Sequence, residues 1–451
     1  MQIIIVGCGK VGATLVEQLS KEGHDITIVD LKAEPIHKIA TMYDVQHIVG
    51  NGASINTQLE AGIEEADLLI AVTQSDELNL LCCLIAKKAG NVHTIARVRN
   101  PIYSKESNFI KEELGLSMII NPEFAAADEI ARLLRFPSAI EIDTFDKGHI
   151  ELLTFKISHD SVLNGLKVMD IMTKLHCDVL VCSVERNEEV IIPSGLFELR
   201  EHDKISFIAS PRNSVKFFKK INIDTQQVRN SMIIGGGKIG FYLADKLLHM
   251  GMHVKIIERD RERCEELSEL LPDATIICGD GTDKELMKEE DLAGTKSFIA
   301  LTNIDEQNLL LSLYAKTQTK GKCITKINKI AFDEIIHNLD LDSTIYPKYI
   351  TAEYILQYVR AMQNSIGSNI ETLYKLCDER LEALEFLVNQ DSSVTGIPLE
   401  ELKLKQNLLI CGITHKGKFK IPRGKDMISK GDSVIVVTTH TCLQDIKDIL
   451  K

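Results

Sequence analysis

The sequence lacks any apolar run of roughly 18 residues, the length that a helix needs to cross a membrane. Its N-terminus has no basic segment and enters an apolar run directly, so we expect no transmembrane helix, signal peptide or lipid anchor. An excess of positive charge is also missing, because 52 lysines and arginines face 65 aspartates and glutamates, for a net charge of −13. This balance argues against a nucleic-acid-binding surface, and we expect no nucleic acid partner.

Paired metal-ligand spacings are missing as well. None of the eleven cysteines forms a C-x-x-C pair and the histidines are scattered, so no metal site is expected. Cys82, Cys83, Cys182 and Cys278 lie in segments that we predict to be core, which favours reduced, buried thiols in a cytosolic protein. The content of 44% hydrophobic and 26% charged residues is typical of a globular chain, and 451 residues provide enough material for several cores.

The first dozen residues carry the pattern of a nucleotide-binding βαβ unit. The apolar run from Ile3 to Val6 predicts a buried parallel strand, and Ala13 to Ser20 has helical periodicity. Between them lies a G-x-G-x-x-G turn formed by Gly7, Cys8, Gly9, Lys10, Val11 and Gly12. The first glycine permits the turn, the second lets backbone N–H groups approach a pyrophosphate, and the third lets the helix pack closely on the strand. A second strand, Ile26 to Val29, ends at Asp30, whose carboxylate can accept both hydroxyls of a ribose.

The same pattern recurs in the second half of the chain. The second loop consists of Gly235, Gly236, Gly237, Lys238, Ile239 and Gly240, and the strand Val254 to Ile257 ends at Glu258. Because the loop and the acid recur at the same separation, we interpret the chain as a tandem duplication. An acid at this position disfavours a 2′-phosphate, so NADP is not expected, but it does not distinguish NAD from ATP.

Further candidate ligand contacts lie at or just after the ends of the later strands of both halves, at the carboxyl edge where open α/β sheets bind ligands. They are Asn51, Gly52, Asp280 and Gly281 after the third strands, Thr73 and Thr302 after the fourth, and Arg97 and Lys326 in the fifth. Asn51 and Asp280 either contact an adenine or only shape a turn. Arg97 and Lys326 either reach a phosphate or make a surface ion pair.

Other residues near this edge receive less weight as ligand contacts. Asp76 and Asp305 are expected to cap the helices that follow the fourth strands. Arg99 has no basic counterpart in the second half, where Asn328 takes its place.

Each parallel sheet is followed by a long helix and a small α+β module. The helices, at about Pro122 to Arg135 and Pro347 to Met362, are apolar on more than one side and require their own sheet, the other repeat or a second subunit as a partner surface. A further helix is expected from about Pro398, and residues 212–220 are predicted to be an amphipathic helix with a solvated basic face. We therefore expect an α/β fold with nucleotide-binding domains at 1–136 and 229–364 and small domains at 137–222 and 365–451.

With these features the chain resembles the TrkA family, the cytosolic subunits of Trk-type potassium uptake systems. The resemblance covers essentially the whole chain. It rests on the paired G-C-G-K-V-G and G-G-G-K-I-G loops, the acids Asp30 and Glu258, the Asp-Glu-x-Asn stretches after Thr73 and Thr302, and the segment Ala96 to Asn100. It implies two tandem RCK (KTN) units, each a Rossmann-like N-domain followed by a small α+β C-domain.

The resemblance also implies a function. Members assemble as ring-forming homo-oligomers, dimers or tetramers, on the cytoplasmic face of a membrane potassium channel subunit of the TrkH or TrkG type, and gate it as bound NAD(H), ATP or ADP changes. In related rings the basic loop residue contacts phosphates, a role that corresponds to Lys10 and Lys238; each is otherwise a solvated lysine at a helix start.

We therefore expect binding without turnover. The main alternative is an NAD-dependent oxidoreductase, which would need an acid/base group positioned over a nicotinamide. We find no His–Asp or Tyr–Lys constellation repeated between the halves. A third possibility is an adenylate-sensing module that acts on a cytosolic partner.

Overall fold

The computed structural model spans residues 1–451 and describes all of them except 91, 137–138, 146–148, 188, 224–227, 329–335, 337–338, 340, 365–369, 378–379, 389–391, 441–442 and 444. The described residues form two parallel six-stranded sheets and two antiparallel five-stranded sheets, which alternate along the chain.

The first parallel sheet begins at the N-terminus. Its strands are β1 (Gln2–Val6), β2 (Asp25–Asp30), β3 (Gln46–Val49), β4 (Leu68–Ala71), β5 (His93–Arg97) and β6 (Met118–Ile120). Its helices are α1 (Lys10–Lys21), α2 (Ala33–Tyr43), α3 (Ile55–Glu60), α4 (Asp76–Ala89), α5 (Pro101–Lys105), α6 (Ser107–Glu113) and α7 (Pro122–Arg135). The strand order is β3-β2-β1-β4-β5-β6. The run Ile3 to Val6 pairs with strands on both sides and is buried, as a continuous apolar strand of a parallel sheet requires.

A small antiparallel sheet follows. Its strands are β7 (Glu141–Phe145), β8 (Ile150–Lys156), β9 (Leu180–Arg186), β10 (Glu189–Ile191) and β11 (Lys204–Ala209), in the order β10-β9-β11-β8-β7, with helices α8 (Val168–Leu175) and α9 (Pro211–Lys220). Helix α9 buries Phe217 and Phe218 and exposes Lys216, Lys219 and Lys220. The predicted amphipathic helix at 212–220 is thereby confirmed.

The second parallel sheet repeats the first. Its strands are β12 (Asn230–Ile234), β13 (His253–Glu258), β14 (Thr275–Cys278), β15 (Ser297–Ala300), β16 (Lys322–Lys326) and β17 (Ser343–Ile345). Its helices are α10 (Lys238–His249), α11 (Arg261–Leu270), α12 (Lys284–Glu289), α13 (Asp305–Gln318) and α14 (Pro347–Asn364). The order β14-β13-β12-β15-β16-β17 reproduces the first sheet strand for strand, which confirms the tandem duplication.

The second antiparallel sheet completes the chain. Its strands are β18 (Ile370–Leu376), β19 (Leu381–Leu387), β20 (Leu408–His415), β21 (Lys418–Lys420) and β22 (Ser433–Thr438), in the order β18-β19-β22-β20-β21. The helix expected from Pro398 is wrong, because only the 3₁₀ turn Leu399–Glu401 forms there. The surrounding backbone instead makes isolated bridges to distant residues, among them Pro398 to Met427 and Leu404 to Leu450. These contacts compete with helical hydrogen bonds.

The described chain divides into two compact units. One comprises Met1–Ala131 and Arg229–Leu356 and contains both parallel sheets; the other comprises Arg132–Val228 and Gln357–Lys451 and contains both antiparallel sheets. Within the second unit the two small sheets share one apolar core, formed by Phe145, Ile150, Leu152, Cys182, Ile208, Leu376, Cys377, Leu381, Ala383, Cys411, Ile435 and Val437. Each small sheet therefore has an apolar face covered by the other.

Within the first unit the two repeats are in contact through α7 and α10. Asn121 Nδ2 donates to Tyr242 Oη at 3.0 Å, the rings of Phe124 and Tyr242 meet edge to face at 5.7 Å, and Lys246 forms an ion pair with Asp128. The other repeat thus supplies part of the partner surface expected for the helix from Pro122. Contact with a second subunit stays a prediction.

Ten of the cysteines lie in the described part of the chain, and all ten are free thiols. Cys82, Cys83 and Cys182 are buried as expected, but Cys278 is exposed. The core assignment of Cys278 is wrong because β14 is an edge strand with an exposed end. Across the same described residues we find no helix with the length and apolar character that crossing a membrane requires.

Candidate functional site

Two glycine loops follow β1 and β12, the strands at which the order of each sheet reverses. Open α/β sheets bind ligands at the carboxyl end of this position. Gly7 and Gly235 adopt φ angles of +111° and +104°, in a region that side chains rarely tolerate. A Cβ on Gly12 would overlap the carbonyl oxygen of Gly7, and one on Gly240 would overlap that of Gly235. Only glycine therefore lets each helix begin this close to its strand.

The middle glycine of each loop faces open space instead. A Cβ on Gly9 or Gly237 would meet no atom within 4 Å. These residues precede α1 and α10, and no side chain in the described part of the chain caps either helix. The first-turn N–H groups and the positive end of the helix dipole are thus available to an anion. We call each glycine loop with the helix N-terminus that follows it, at Gly9 and at Gly237, a cradle, and its exposed N–H groups fit the phosphates of a nucleotide.

The acids after the second strands hold the loops in place. Asp30 Oδ2 accepts from Cys8 N at 2.6 Å, and Glu258 Oε2 accepts from the corresponding Gly236 N at 2.7 Å. The second oxygens of the two carboxylates accept from Lys32 N and Asp260 N. Each carboxylate oxygen has two lone pairs, so a ribose hydroxyl can share it. The acids therefore position the loop as well, a role that the sequence analysis missed.

An asparagine binds the tip of the fourth strand in each repeat. Asn79 Oδ1 accepts from the N and Oγ1 of Thr73 at 2.8 and 2.7 Å, and its Nδ2 donates to Arg97 O at 2.9 Å. Asn308 makes the same contacts with Thr302 and Lys326. Both asparagines are fully buried. They fix the predicted site residues Thr73 and Thr302 against the neighbouring strand, which sequence analysis did not anticipate.

The prediction that Asp76 and Asp305 cap helices is wrong. Ser75 caps α4 by accepting from Leu78 N, while α13 has no side-chain cap within the described residues. Asp76 Oδ2 instead accepts from the backbone N–H groups of Arg99 and Asn100, at 2.8 and 2.7 Å. Asp305 Oδ1 accepts likewise from Asn328 N. These carboxylates satisfy N–H groups of the loop after the fifth strand, which have no strand partner at that point.

The cations of the fifth strands turn inward. The Arg97 guanidinium donates to Thr73 O, and Lys326 Nζ donates to Leu301 O at 3.1 Å. Lys326 is only 5% exposed, and burial lowers its pKa to about 8. Burial also lowers the pKa of Arg97. The surface ion pair considered for these residues is therefore wrong, and the phosphate contact stays a prediction.

The remaining predicted residues shape and line the same edge. Asn51 Oδ1 accepts from Ala53 N and Asp280 Oδ1 accepts from Thr282 N, so both form local turns. Gly52 and Gly281 pack where a Cβ would overlap the ends of β1 and β12.

The other side chains of the loops point in different directions. Lys10 and Lys238 are exposed, which is compatible both with a contact to a phosphate and with a solvated lysine at a helix start. Val11 and Ile239 are buried. Burial and the Asp30 carboxylate raise the pKa of Cys8 to about 12, so this thiol is not a nucleophile near neutral pH.

A cavity of about 530 Å³ lies over the second loop. It brings together most of the site residues predicted in the second repeat, namely Gly235, Gly237, Lys238, Ile239, Gly240, Glu258, Asp280, Gly281, Thr302 and Lys326. Three residues of the first repeat, Arg99, Pro122 and Glu123, also line it. The volume lies within the range of small-molecule sites.

Residues 3–122 and 231–347 match the TrkA-N domain, and residues 383–451 match the TrkA-C domain. The chain belongs to the TrkA family. A TrkA homolog of the Trk potassium uptake system of Archaeoglobus fulgidus is 33% identical over 452 residues, which cover 100% of both chains. The Trk system potassium uptake protein TrkA of Halomonas elongata is 32% identical over 439 residues, or 97% of this chain and 95% of that one.

Solved structures agree with the TrkA fold. The GsuK channel superimposes with a TM-score of 0.65 at 14% identity and covers 97% of this chain and 76% of that one. A GsuK channel bound to NAD gives 0.63 with the same coverage, and the GsuK RCK domain gives 0.62 at 15% identity, covering 97% and 92%. The predicted fold class, duplicated Rossmann-like domains with small α+β domains, is confirmed.

Proposed function

We propose that this chain is the cytoplasmic regulatory subunit of a potassium uptake system. It binds NAD(H), ATP or ADP at its glycine loops and transmits the resulting change of shape to a membrane channel subunit of the TrkH or TrkG type. In this proposal it works as a ring-forming homo-oligomer, a dimer or tetramer, at the inner face of the membrane. Its domains are 1–136, 137–222, 229–364 and 365–451.

One observation carries the proposal. In each repeat of a TrkA-family chain, an uncapped helix N-terminus stands beside an open glycine, with an acid placed at the end of the neighbouring strand. The N–H groups suit phosphates and the acid suits the adenosine ribose. A GsuK channel of similar fold was solved with NAD and another structure of GsuK with ADP, which supports these ligand classes.

The family of the chain supports a regulator rather than the alternative, an NAD-dependent oxidoreductase, because its full-length relatives are proteins of potassium uptake systems. A ligand can then act only through a difference in its affinity for two shapes of the protein.

Titration calorimetry of the full chain with NAD, NADH, ADP and ATP tests the proposal. Asp30→Ala and Glu258→Ala should each weaken binding at their own loop by about 1–3 kcal/mol, the range for a lost charge-assisted hydrogen bond. Asp30→Asn retains an acceptor for Cys8 N but removes the negative charge and the second acceptor, which binds Lys32 N, so it tests the charge while the contact to the loop remains. Asp25→Ala, at the exposed opposite end of the same strand, is the matched control.

Two results would contradict the proposal. The first is that neither Asp30→Ala nor Glu258→Ala changes the affinity for any of the four nucleotides. The second is sustained oxidation of NADH with a small substrate. Potassium flux through vesicles that contain a TrkH-type channel should respond to nucleotide only when the chain is added. If the potassium flux depends on neither the chain nor the nucleotide, the assignment as a channel regulator is refuted, while the proposed nucleotide sites are unaffected.

A further inference from the structure

Two thiols of the second repeat lie side by side next to its glycine loop. Cys264 belongs to α11, and Cys278 is the last residue of β14. Glu258, at the end of β13, is the register partner of Cys278, and its carbonyl oxygen accepts from Cys264 Sγ at 3.2 Å. The same oxygen accepts at 2.9 Å from the N–H of Gly279, the residue that follows Cys278. One carbonyl group therefore brings the two cysteines together.

The two thiols differ in their access to solvent. Cys264 is 6% exposed, whereas Cys278 is an exposed residue. Burial, together with a hydrogen bond to Cys278, raises the pKa of Cys264 to about 12. Cys264 therefore keeps its proton near neutral pH and is not the first thiol to react, because the thiolate is the reactive form. An accessible cysteine beside a second thiol is the arrangement that favours oxidation of the first and disulfide formation with the second.

We propose that Cys264 and Cys278 are a modification site, at which a hydroperoxide produces a reversible disulfide that weakens nucleotide binding at the second cradle. Formation of the disulfide is independent of the proposed function. Its effect on binding rests on that function, since it requires the second cradle to hold a nucleotide.

The chemistry has two steps. The sulfur of Cys278 first attacks an oxygen of the hydroperoxide, so that an S–O bond forms, the O–O bond breaks and an alcohol or water leaves. The sulfur of Cys264 then attacks that of Cys278, forming the S–S bond and breaking the S–O bond. The departing hydroxide takes the proton of Cys264 and leaves as water. The two thiols together lose two electrons, which reduce the hydroperoxide, and exchange with a small thiol reverses the modification.

Helix α11 also contacts the second glycine loop. Arg263 Nε donates to Gly236 O at 2.7 Å, and a Cβ on Gly236 would come within 2.4 Å of Leu267 Cδ1. Arg263 and Leu267 lie within one helical turn of Cys264. A disulfide removes the S–H donor from Glu258 O and draws this turn towards β14, because a covalent bond is shorter than a contact between two thiols. The loop is packed on the same turn, so its N–H groups shift from the positions that suit phosphates.

The first repeat lacks this pair of thiols. Ile36 is the fourth residue of α2, as Cys264 is of α11, and Val49 ends β3 as Cys278 ends β14. Only the second cradle is therefore expected to respond to oxidation through these positions.

Peptide mapping tests the disulfide. The reduced full chain is treated with a small excess of hydrogen peroxide, its remaining thiols are alkylated under denaturing conditions, and the digest is analysed by mass spectrometry. We expect a cross-link between the peptides of Cys264 and Cys278 that dithiothreitol releases. Val49→Cys in a Cys278→Ser chain is the matched control, because it places an exposed thiol beside Ile36 instead of a cysteine, and it should give no such cross-link. Unmodified thiols at both positions, or oxidation of Cys278 without the cross-link, would overturn the modification site.

Calorimetry with ADP in an Asp30→Ala chain, which weakens the first cradle, tests the effect on binding. Peroxide treatment should weaken ADP binding by about fivefold or more, the lower end of the usual coupling between two sites, and dithiothreitol should restore it. In Asp30→Ala with Cys278→Ser, peroxide should leave the affinity unchanged. Equal affinities of the cross-linked and reduced chains would overturn the effect on the cradle. If the reduced Asp30→Ala chain binds no ADP while the unaltered chain does, the proposed function fails at the second loop and the effect falls with it, whereas the cross-link is still decided by the peptide map.

Discussion

We predict that Lys326 makes nucleotide binding depend on pH. It is 5% exposed, its Nζ donates to Leu301 O, and burial lowers its pKa from 10.5 to about 8. A phosphate placed in the cavity beside Lys326 would favour the charged amine and raise this pKa again. If the pKa returns to about 10.5, binding at pH 9 takes up about 0.9 of a proton, and binding at pH 7 only about 0.1.

The sign of the linkage follows from these values. The complex binds more protons than the free protein between the two pKa values, so affinity should fall by up to about tenfold per pH unit as pH rises from about 8 towards 10.5. The stability of the ligand-free chain should instead increase as pH rises over the same range. The unfolded lysine retains its proton there while the folded one has released it, so the free energy of unfolding rises with pH.

Calorimetry in buffers of different ionisation enthalpy measures the proton uptake directly. The uptake with ADP or NAD at pH 9 should disappear in Lys326→Met and persist in the control Lys296→Met, which alters an exposed lysine outside the cavity. Tight binding at pH 9 without uptake, or uptake that survives in Lys326→Met, would show that Lys326 does not sense the phosphates.

Three further changes test the scaffold of the site. Asn79→Ala leaves buried backbone groups without partners and should cost about 2–4 kcal/mol, seen as faster hydrogen exchange at the tip of β4; exchange at the unaltered rate would contradict it. Gly12→Ala places a methyl group on the carbonyl oxygen of Gly7 and should abolish binding at the first cradle in calorimetry, whereas retained affinity would show that the helix can shift without loss. Ser75→Ala removes the cap that accepts from Leu78 N and should destabilise the first turn of α4 by about 1 kcal/mol, which faster hydrogen exchange in that turn would show. Unchanged exchange would show that the cap does not stabilise the helix.

Much of the architecture follows from local patterns in the sequence. The runs Ile3 to Val6 and Met232 to Ile234 are continuous and apolar because strands of these sheets are covered on both faces, and such runs are visible without any tertiary information. The glycines at the loops have a stereochemical reason that acts within a few residues. The duplication could be predicted because both patterns recur at the same separation. The Rossmann-like domains and the ends of most strands were therefore predictable, whereas the strand order came from the structure.

Tertiary structure decided the contacts that join residues distant in sequence. Asp76 resembles a helix cap in the sequence, yet its carboxylate binds the backbone of Arg99, because folding brings unpaired N–H groups of the next loop to it. The edge strands β7 and β18 and the extended segment at Pro398 depend on partners that no local periodicity reveals. Arg99 received little weight because it has no counterpart in the second repeat, but the packing of the repeats places it beside the second loop. The sequence by itself determined that two glycine loops exist, because glycine stereochemistry and strand burial are local. Only the packing of one repeat against the other decided that Arg99, Pro122 and Glu123 line the cavity over the second loop.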